Sequence, residues 1–272
     1  MKKLIRGDEV LLISTARKVR PEEIEPCIQI LSSWGLKVIL GKYVFAEDRQ
    51  FAGTDCQRSE DLQWALNHPT AKAILCTRGG YGTSRLIDLL DFSIFQQNPK
   101  WLIGFSDITI LHQHINQLGF PSIHGTMALL FENKIAIESL QRALFEENYQ
   151  LPLPAKLSGE VVGGNLTLLV HGLGTPSEID TDGKLLFIEE IDEYLYHIDR
   201  MLLQLKRAGK LAKLKALLVG GFTKMNDNNI PFGKTINEIV LDHTAVYKYP
   251  VYFDIPAGHI DENQAIIFGE AS

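Results

Sequence analysis

The apolar residues fall in short unbroken runs, and between the runs they recur at helical spacing. Residues 9–14 (EVLLIS), 37–40, 71–76, 101–103 and 122–124 each read as a strand buried on both faces. Residues 21–34 open on Pro-Glu-Glu and stop at Gly35, which places proline and acids in the first turn of a helix and glycine past its end. Shorter helices are expected over 60–67 and 83–90. Over 108–118, Ile108, Leu111, Ile115 and Leu118 share one helical face. Strands and helices alternating at this interval predict a parallel sheet covered on both faces, a doubly wound α/β unit over roughly the first 130 residues.

The pattern changes after Glu146. Residues 148–158 hold two prolines and little periodicity, which reads as a linker. Strands follow at 160–162, 184–188, 216–219 and 251–254, with helices over 196–208 and 235–247. The expected division is a first domain over 1–147, a linker over 148–158 and a smaller α/β domain over 159–272.

Composition narrows the classes of function. A net charge of -6 argues against a nucleic-acid partner, since phosphate binding rests on clustered basic charge. The three cysteines, Cys27, Cys56 and Cys76, have neither disulfide-framework nor zinc spacing. The opening Met-Lys-Lys-Leu-Ile-Arg-Gly-Asp is too short in apolar residues for a signal peptide, and no run approaches the ~18 needed to span a membrane. The expectation is a soluble cytoplasmic protein.

Chemistry concentrates at strand ends. Gly104-Phe-Ser-Asp107 joins an apolar run to a helix by a very short turn, the geometry that exposes a serine at the carboxyl edge of a sheet. The motif G-x-S-x-G wants a glycine at 108, where this chain has Ile108; Ser followed by Asp is also ordinary helix-start chemistry. Gly79-Gly-Tyr-Gly82 departs from a dinucleotide fingerprint, with Arg85 in the third glycine's place, yet its amides could cradle an anion as readily as form a plain turn. Phe232-Gly-Lys-Thr235 lacks the Walker glycine, having Asn228 instead. Glu189-Glu-Ile-Asp-Glu193, with Asp180 and Asp182, could be a Mg²⁺ site or a solvated acidic loop. Glu189 differs from the others in sitting directly at a strand end. His259 follows glycine in a loop past a strand, where an imidazole can titrate near neutrality.

Arg78-Gly-Gly-Tyr-Gly-Thr83, Gly104-Phe-Ser-Asp107, Gly163-Gly-Asn-Leu166, Leu186-Phe-Ile-Glu-Glu190 with Ile198-Asp-Arg-Met201, and Gly258-His259 together resemble the LD-carboxypeptidase family of serine peptidases, which includes murein tetrapeptide carboxypeptidases and microcin C immunity peptidases. They occur in the family's order across nearly the whole chain. The resemblance implies a Rossmann-like N-terminal domain, a smaller C-terminal domain and an active site in the cleft between them. It assigns Ser106 as nucleophile, Glu189 as triad acid, His259 as base, and the backbone N–H groups of Gly80 and Asp107 as oxyanion donors. Arg78, Tyr81 and Arg200 are the substrate-binding candidates. It further implies no metal or other cofactor, a homodimer, and removal of the terminal D-alanine from murein tetrapeptide in peptidoglycan recycling. The alternative substrate is a peptidyl nucleotide of the microcin C type. Where relatives continue past Gly269 with another strand, this sequence ends at Ser272, so either that strand is missing or the chain is shortened, and the His259 loop is expected to be held less firmly.

Overall fold

The computed structural model describes residues 1–149, 152–153 and 157–270. The expected linker over 148–158 therefore lies partly outside the described residues. In chain order the elements are β1 (Glu9–Ile13), α1 (Pro21–Ser33), β2 (Lys37–Leu40), α2 (Asp55–Asn67), β3 (Ala73–Cys76), α3 (Ser93–Gln97) and β4 (Trp101–Gly104). Then come α4 (Thr109–Gln117), β5 (Ser122–His124), α5 (Lys134–Phe145), β6 (Val161–Asn165), α6 (Leu166–His171) and β7 (Leu185–Ile191). The chain closes with α7 (Leu195–Arg207), β8 (Ala216–Thr223), α8 (Ile236–Thr244), β9 (Val251–Tyr252) and β10 (Ile266–Phe268).

Strand β1 shows why the apolar runs are unbroken. Val10 and Leu12 join Ile24, Cys27 and Leu31 of α1 and Leu140 of α5 on one face. Leu11 and Ile13 join Leu62 and Leu66 of α2 and Leu111 and Ile115 of α4 on the other. With both faces covered, successive side chains of a parallel strand must all be apolar. The first sheet runs β10-β5-β4-β3-β1-β2 and the second β6-β7-β8-β9. Every pairing is parallel except β10 with β5.

That antiparallel strand is the main departure from expectation. The strand that relatives carry past Gly269 is a separate one; sequence reading places no strand between Asp254 and Gly269, yet Ile266–Phe268 pairs there, with Ile267 opposite Ile123 in the first sheet. Its residues alternate between layers: Ala265 and Ile267 face the core shared with α1 and α5, while Ile266 and Phe268 join Leu185, Phe187 and Leu218 of the second sheet. One short strand thus belongs to the first sheet by hydrogen bonds and to the second by packing.

Other differences are local. The helix expected at 60–67 begins at Asp55, because Thr54 and Gln57 form a reciprocal capping box. The helix expected over 83–90 is two 3₁₀ turns, Thr83–Arg85 and Ile87–Leu89, since Thr83 N–H is captured by the buried Asp107 carboxylate at 2.8 Å. Helices α3, α5 and α6 were not anticipated. Among the described residues no helix is long and apolar enough to cross a membrane.

Candidate active site

Ser106 opens a 3₁₀ turn between β4 and α4 with φ of +63°, in the left-handed region that L-residues avoid. Such a conformation costs about 1–2 kcal/mol. Phe105 and Ile108 flank it and are buried. Burying each contributes about 1.5–3 kcal/mol, enough to hold the strained turn in place. Ile108 occupies the motif's second glycine position because the room is made at the first: a Cβ on Gly104 would stand 2.9 Å from Ile108 Cγ1. The strain sits at the carboxyl end of the strand, where it projects the hydroxyl outward.

The glycine loop after β3 closes over this turn. A Cβ on Gly79 would stand 3.2 Å from Ser106 Cβ and 3.3 Å from Met127 Cε, so the loop backbone passes directly beside the serine and a side chain there would press on it. Gly80 and Gly82 have φ of +110° and +140°. Asp107 fastens the loop through Thr83 N–H, and its burial raises its carboxyl pKa. Arg58, which sequence reading passed over, is buried beneath the loop, with Nη1 donating to Thr15 O at 2.6 Å and Gly82 O at 3.0 Å. It also pairs with Asp55. A single interior cation at an amphipathic helix's polar stripe carries no distinctive sequence signal. Among the described residues neither Gly80 N–H nor Asp107 N–H has an acceptor within the protein.

Glu189 lies inside β7, opposite Asn165 of β6 and two residues short of the strand end at which sequence reading places it, and it is fully buried. The pairing of β7 with β8 shifts register between Ile188 and Glu190, where Gly220 and Gly221 face the gap. A Cβ at Gly220 would stand 2.5 Å from Ala257 O, and one at Gly258 would stand 2.7 Å from Glu189 Cβ. These glycines let the 257–260 loop lie directly on the carboxylate. Gly221 N–H donates to Ala257 O at 2.9 Å, and Asn263 Oδ1 accepts Gly258 N–H at 2.8 Å.

His259 completes the cluster. Its Nδ1 lies 2.5 Å from Glu189 Oε2 and its Nε2 3.0 Å from Ser106 Oγ. Its ring packs on Phe105 at 4.9 Å between centroids. Burial opposes protonation, but the Glu189 carboxylate, helped by the more distant Glu190, outweighs it and raises the imidazole pKa above its ordinary value. Glu189 Oε1 has no hydrogen-bond partner among the described residues, and Oε2 accepts from both the backbone N–H and Nδ1 of His259. The arrangement can take a proton from a serine hydroxyl and stabilise the resulting imidazolium.

The remaining candidates are placed as follows. Arg78 is half-buried and donates to Lys18 O at 3.3 Å. Tyr81 is exposed beside Phe51, at 5.9 Å between ring centroids. Arg200 lies on the exposed side of α7 over the Tyr196 ring. The acidic residues disperse: Glu190 is held by Asn165 and Thr167, Glu193 pairs with His197, Asp180 with Lys184 and Asp182 with Lys213. The Gly163-Gly164 pair lets β6 touch α4, with Asn165 N–H donating to Thr109 Oγ1 at 3.0 Å.

The chain is similar to known proteins over nearly its whole length. Residues 10–125 match the LD-carboxypeptidase N-terminal domain and residues 158–272 the LD-carboxypeptidase C-terminal domain. The Bacillus subtilis protein named probable murein peptide carboxypeptidase is 37% identical, over 98% of this chain and 89% of its own. The crystal structure of muramoyltetrapeptide carboxypeptidase from Oxalobacter formigenes superposes with a TM-score of 0.86 at 28% identity, covering 97% of this chain and 93% of that one. Microcin C7 self immunity protein MccF, in complex with aspartyl sulfamoyl adenosine, shares the fold at a TM-score of 0.88 and 21% identity, covering 99% and 93%.

Proposed function

This chain belongs to the LD-carboxypeptidase family and is a carboxypeptidase, and on that premise we propose that it removes the terminal D-alanine of murein tetrapeptide through a Ser106–His259–Glu189 triad. The observation that carries the reading is the unbroken chain of contacts from Ser106 Oγ through the His259 ring to Glu189, at 3.0 and 2.5 Å. His259 Nε2 takes the proton of Ser106 as Oγ attacks the carbonyl of the L-centre residue. The Glu189 carboxylate holds Nδ1–H, fixing the tautomer and stabilising the imidazolium. The N–H groups of Asp107 and Gly80, both without acceptors among the described residues, receive the oxyanion. His259 then protonates the departing amine, D-alanine leaves, and water releases the tripeptide from the acyl-enzyme by the same steps in reverse.

The two-lobed division, with 1–147 giving Ser106 and 159–272 giving Glu189 and His259, belongs to this proposal, as do a homodimer and a cytoplasmic role in peptidoglycan recycling. The separate β10-β5-β4-β3-β1-β2 and β6-β7-β8-β9 sheets support the division. A peptidyl nucleotide is the second substrate reading, on the fold likeness to MccF. A stacking platform for its base would call for an aromatic residue in the C-terminal half, and the chain has no tryptophan after Trp101.

The test is incubation with purified murein tetrapeptide and mass-spectrometric detection of tripeptide, with Ser106→Ala alongside. Loss of one D-alanine by the wild type alone supports the reading. Equal turnover by both removes Ser106 from the mechanism, and no turnover by either shifts the substrate to the peptidyl nucleotide. Activity unaffected by EDTA separates the triad from a Mg²⁺ hydrolase built on the acidic loop.

A further inference from the structure

Resting on the carboxypeptidase reading, we propose that Arg17 is the specificity residue that binds the free carboxylate of the departing residue. Arg17 follows β1 in a loop whose backbone is stapled on two sides. Its N–H reaches Gly79 O at 3.4 Å, Ala52 N–H reaches Ala16 O at 3.0 Å, and Lys18 N–H reaches Gln50 O at 3.1 Å. The side chain then lies across Gly80: a Cβ there would meet Arg17 Cδ at 2.6 Å and Nε at 2.9 Å. Gly80, at a φ of +110°, thus leaves the space that the Arg17 stem fills.

Charge bookkeeping on this rim singles Arg17 out. Lys18 pairs with Glu47, Arg20 with Glu22 and Glu23, and Arg85 with Asp55. Arg78 is engaged with Lys18 O, and Arg200 with the Tyr196 ring. Arg17 is exposed, and among the described residues its guanidinium has neither ion pair nor hydrogen bond. A guanidinium offers a planar fork matched to a carboxylate, and here its backbone is already fixed.

The reach is also right. In a substrate the terminal carboxylate lies one residue beyond the scissile carbonyl, a step of about 3.8 Å. In the protein Gly79 stands against Ser106 Oγ, and Gly80, the next residue, carries Arg17. The Arg17 stem therefore lies against the glycine next in the chain to the one beside the nucleophile, the side on which this proposal seats the departing residue. The same requirement explains an exopeptidase: only a chain end supplies the negative charge. Lys224, which follows β8 and whose charge opposes protonation of His259, is the competing cation.

The experiment compares murein tetrapeptide with the same peptide amidated at its C-terminus, for wild type, Arg17→Ala, Arg17→Lys and Lys224→Ala. The wild type should favour the free acid. Arg17→Ala should lower kcat/KM for the acid roughly 10- to 100-fold, mainly through KM, while the amide is cleaved as by wild type. Arg17→Lys should recover part of the loss as a point charge. An unchanged acid-to-amide preference in Arg17→Ala, or its loss in Lys224→Ala instead, overturns the assignment and leaves the carboxypeptidase reading intact. No release of D-alanine by the wild type removes that reading, and Arg17's role with it.

Discussion

Ser106 Oγ and His259 Nε2 stand 3.0 Å apart although 153 residues separate them in the chain. Two substitutions at Ser106 separate its chemistry from its strain. Ser106→Ala should lose about 10⁶-fold in kcat, the scale seen when a triad serine is removed. Ser106→Gly should be equally inactive but more stable than Ser106→Ala by about 1 kcal/mol, because glycine accepts the φ of +63° without cost. Urea titration of the two variants measures this, and equal midpoints would show that the turn stores no strain.

The pH profile follows from the His259–Glu189 contact. His259 acts as base only when neutral, and its pKa is raised above the ordinary 6.5, so kcat/KM should climb with pH through a midpoint above that value. In Glu189→Gln the opposing charge is gone and burial remains, so the midpoint should move to lower pH. kcat should fall about 10⁴-fold, since the amide no longer fixes the reactive tautomer. Residual rates measured between pH 5 and 9 decide it, at roughly the span over which a histidine titrates. A midpoint that stays in place would refute the electrostatic account.

Arg58 tests whether the glycine loop is held from below. Arg58→Met keeps bulk but leaves Thr15 O and Gly82 O without their donor. It should destabilise the protein by about 1–3 kcal/mol and lower kcat, through displacement of Gly79 and Gly80. A thermal melt with parallel kinetics checks both. Stability lost with kcat retained would mean that the loop keeps its place unaided.

Gly258 tests the other side. Alanine there would need a φ of +104° and would press within 2.7 Å of Glu189 Cβ. The 257–260 loop must then shift, and an ångström of displacement is worth about 10²-fold in rate. Gly258→Ala should therefore lose kcat with a smaller change in KM. Wild-type kinetics would show that the loop tolerates a methyl group.

Much of this was legible in the sequence, and the limits have physical causes. Strands β1 to β5 announced themselves because parallel strands buried on both faces are unbroken apolar runs. The three residues now in contact were each visible as a polar side chain at a strand end, next to glycine or a helix start. Their proximity was not visible, since no local pattern encodes a contact between Ser106 and His259. Arg58 and Gly220-Gly221 escaped notice because their roles exist only against distant partners: the Gly82 carbonyl for one, the Ala257 carbonyl for the other. The start of α2 was readable in Thr54-Asp-Cys-Gln57, a capping box that periodicity alone overlooks. Strand β10 is three residues long, too short to show alternation, and its assignment depends on two sheets at once.

That double allegiance of β10 bears on how the protein is made. Residues 253–265, which carry His259, run from the end of one sheet to the edge of the other: Ile255, Ala257 and His259 are tied to β8 through Val219, Gly221 and Thr223, and Ile266–Phe268 fastens the far end to β5. This pairing joins the tail to a strand near the middle of the chain, so it bears the largest loop-closure cost and forms late. A refolding chain that has completed its parallel pairings still holds the segment carrying its base from one end alone. Full catalysis is then expected to appear during refolding together with this last long-range strand addition, which is what closes the His259 segment at both ends.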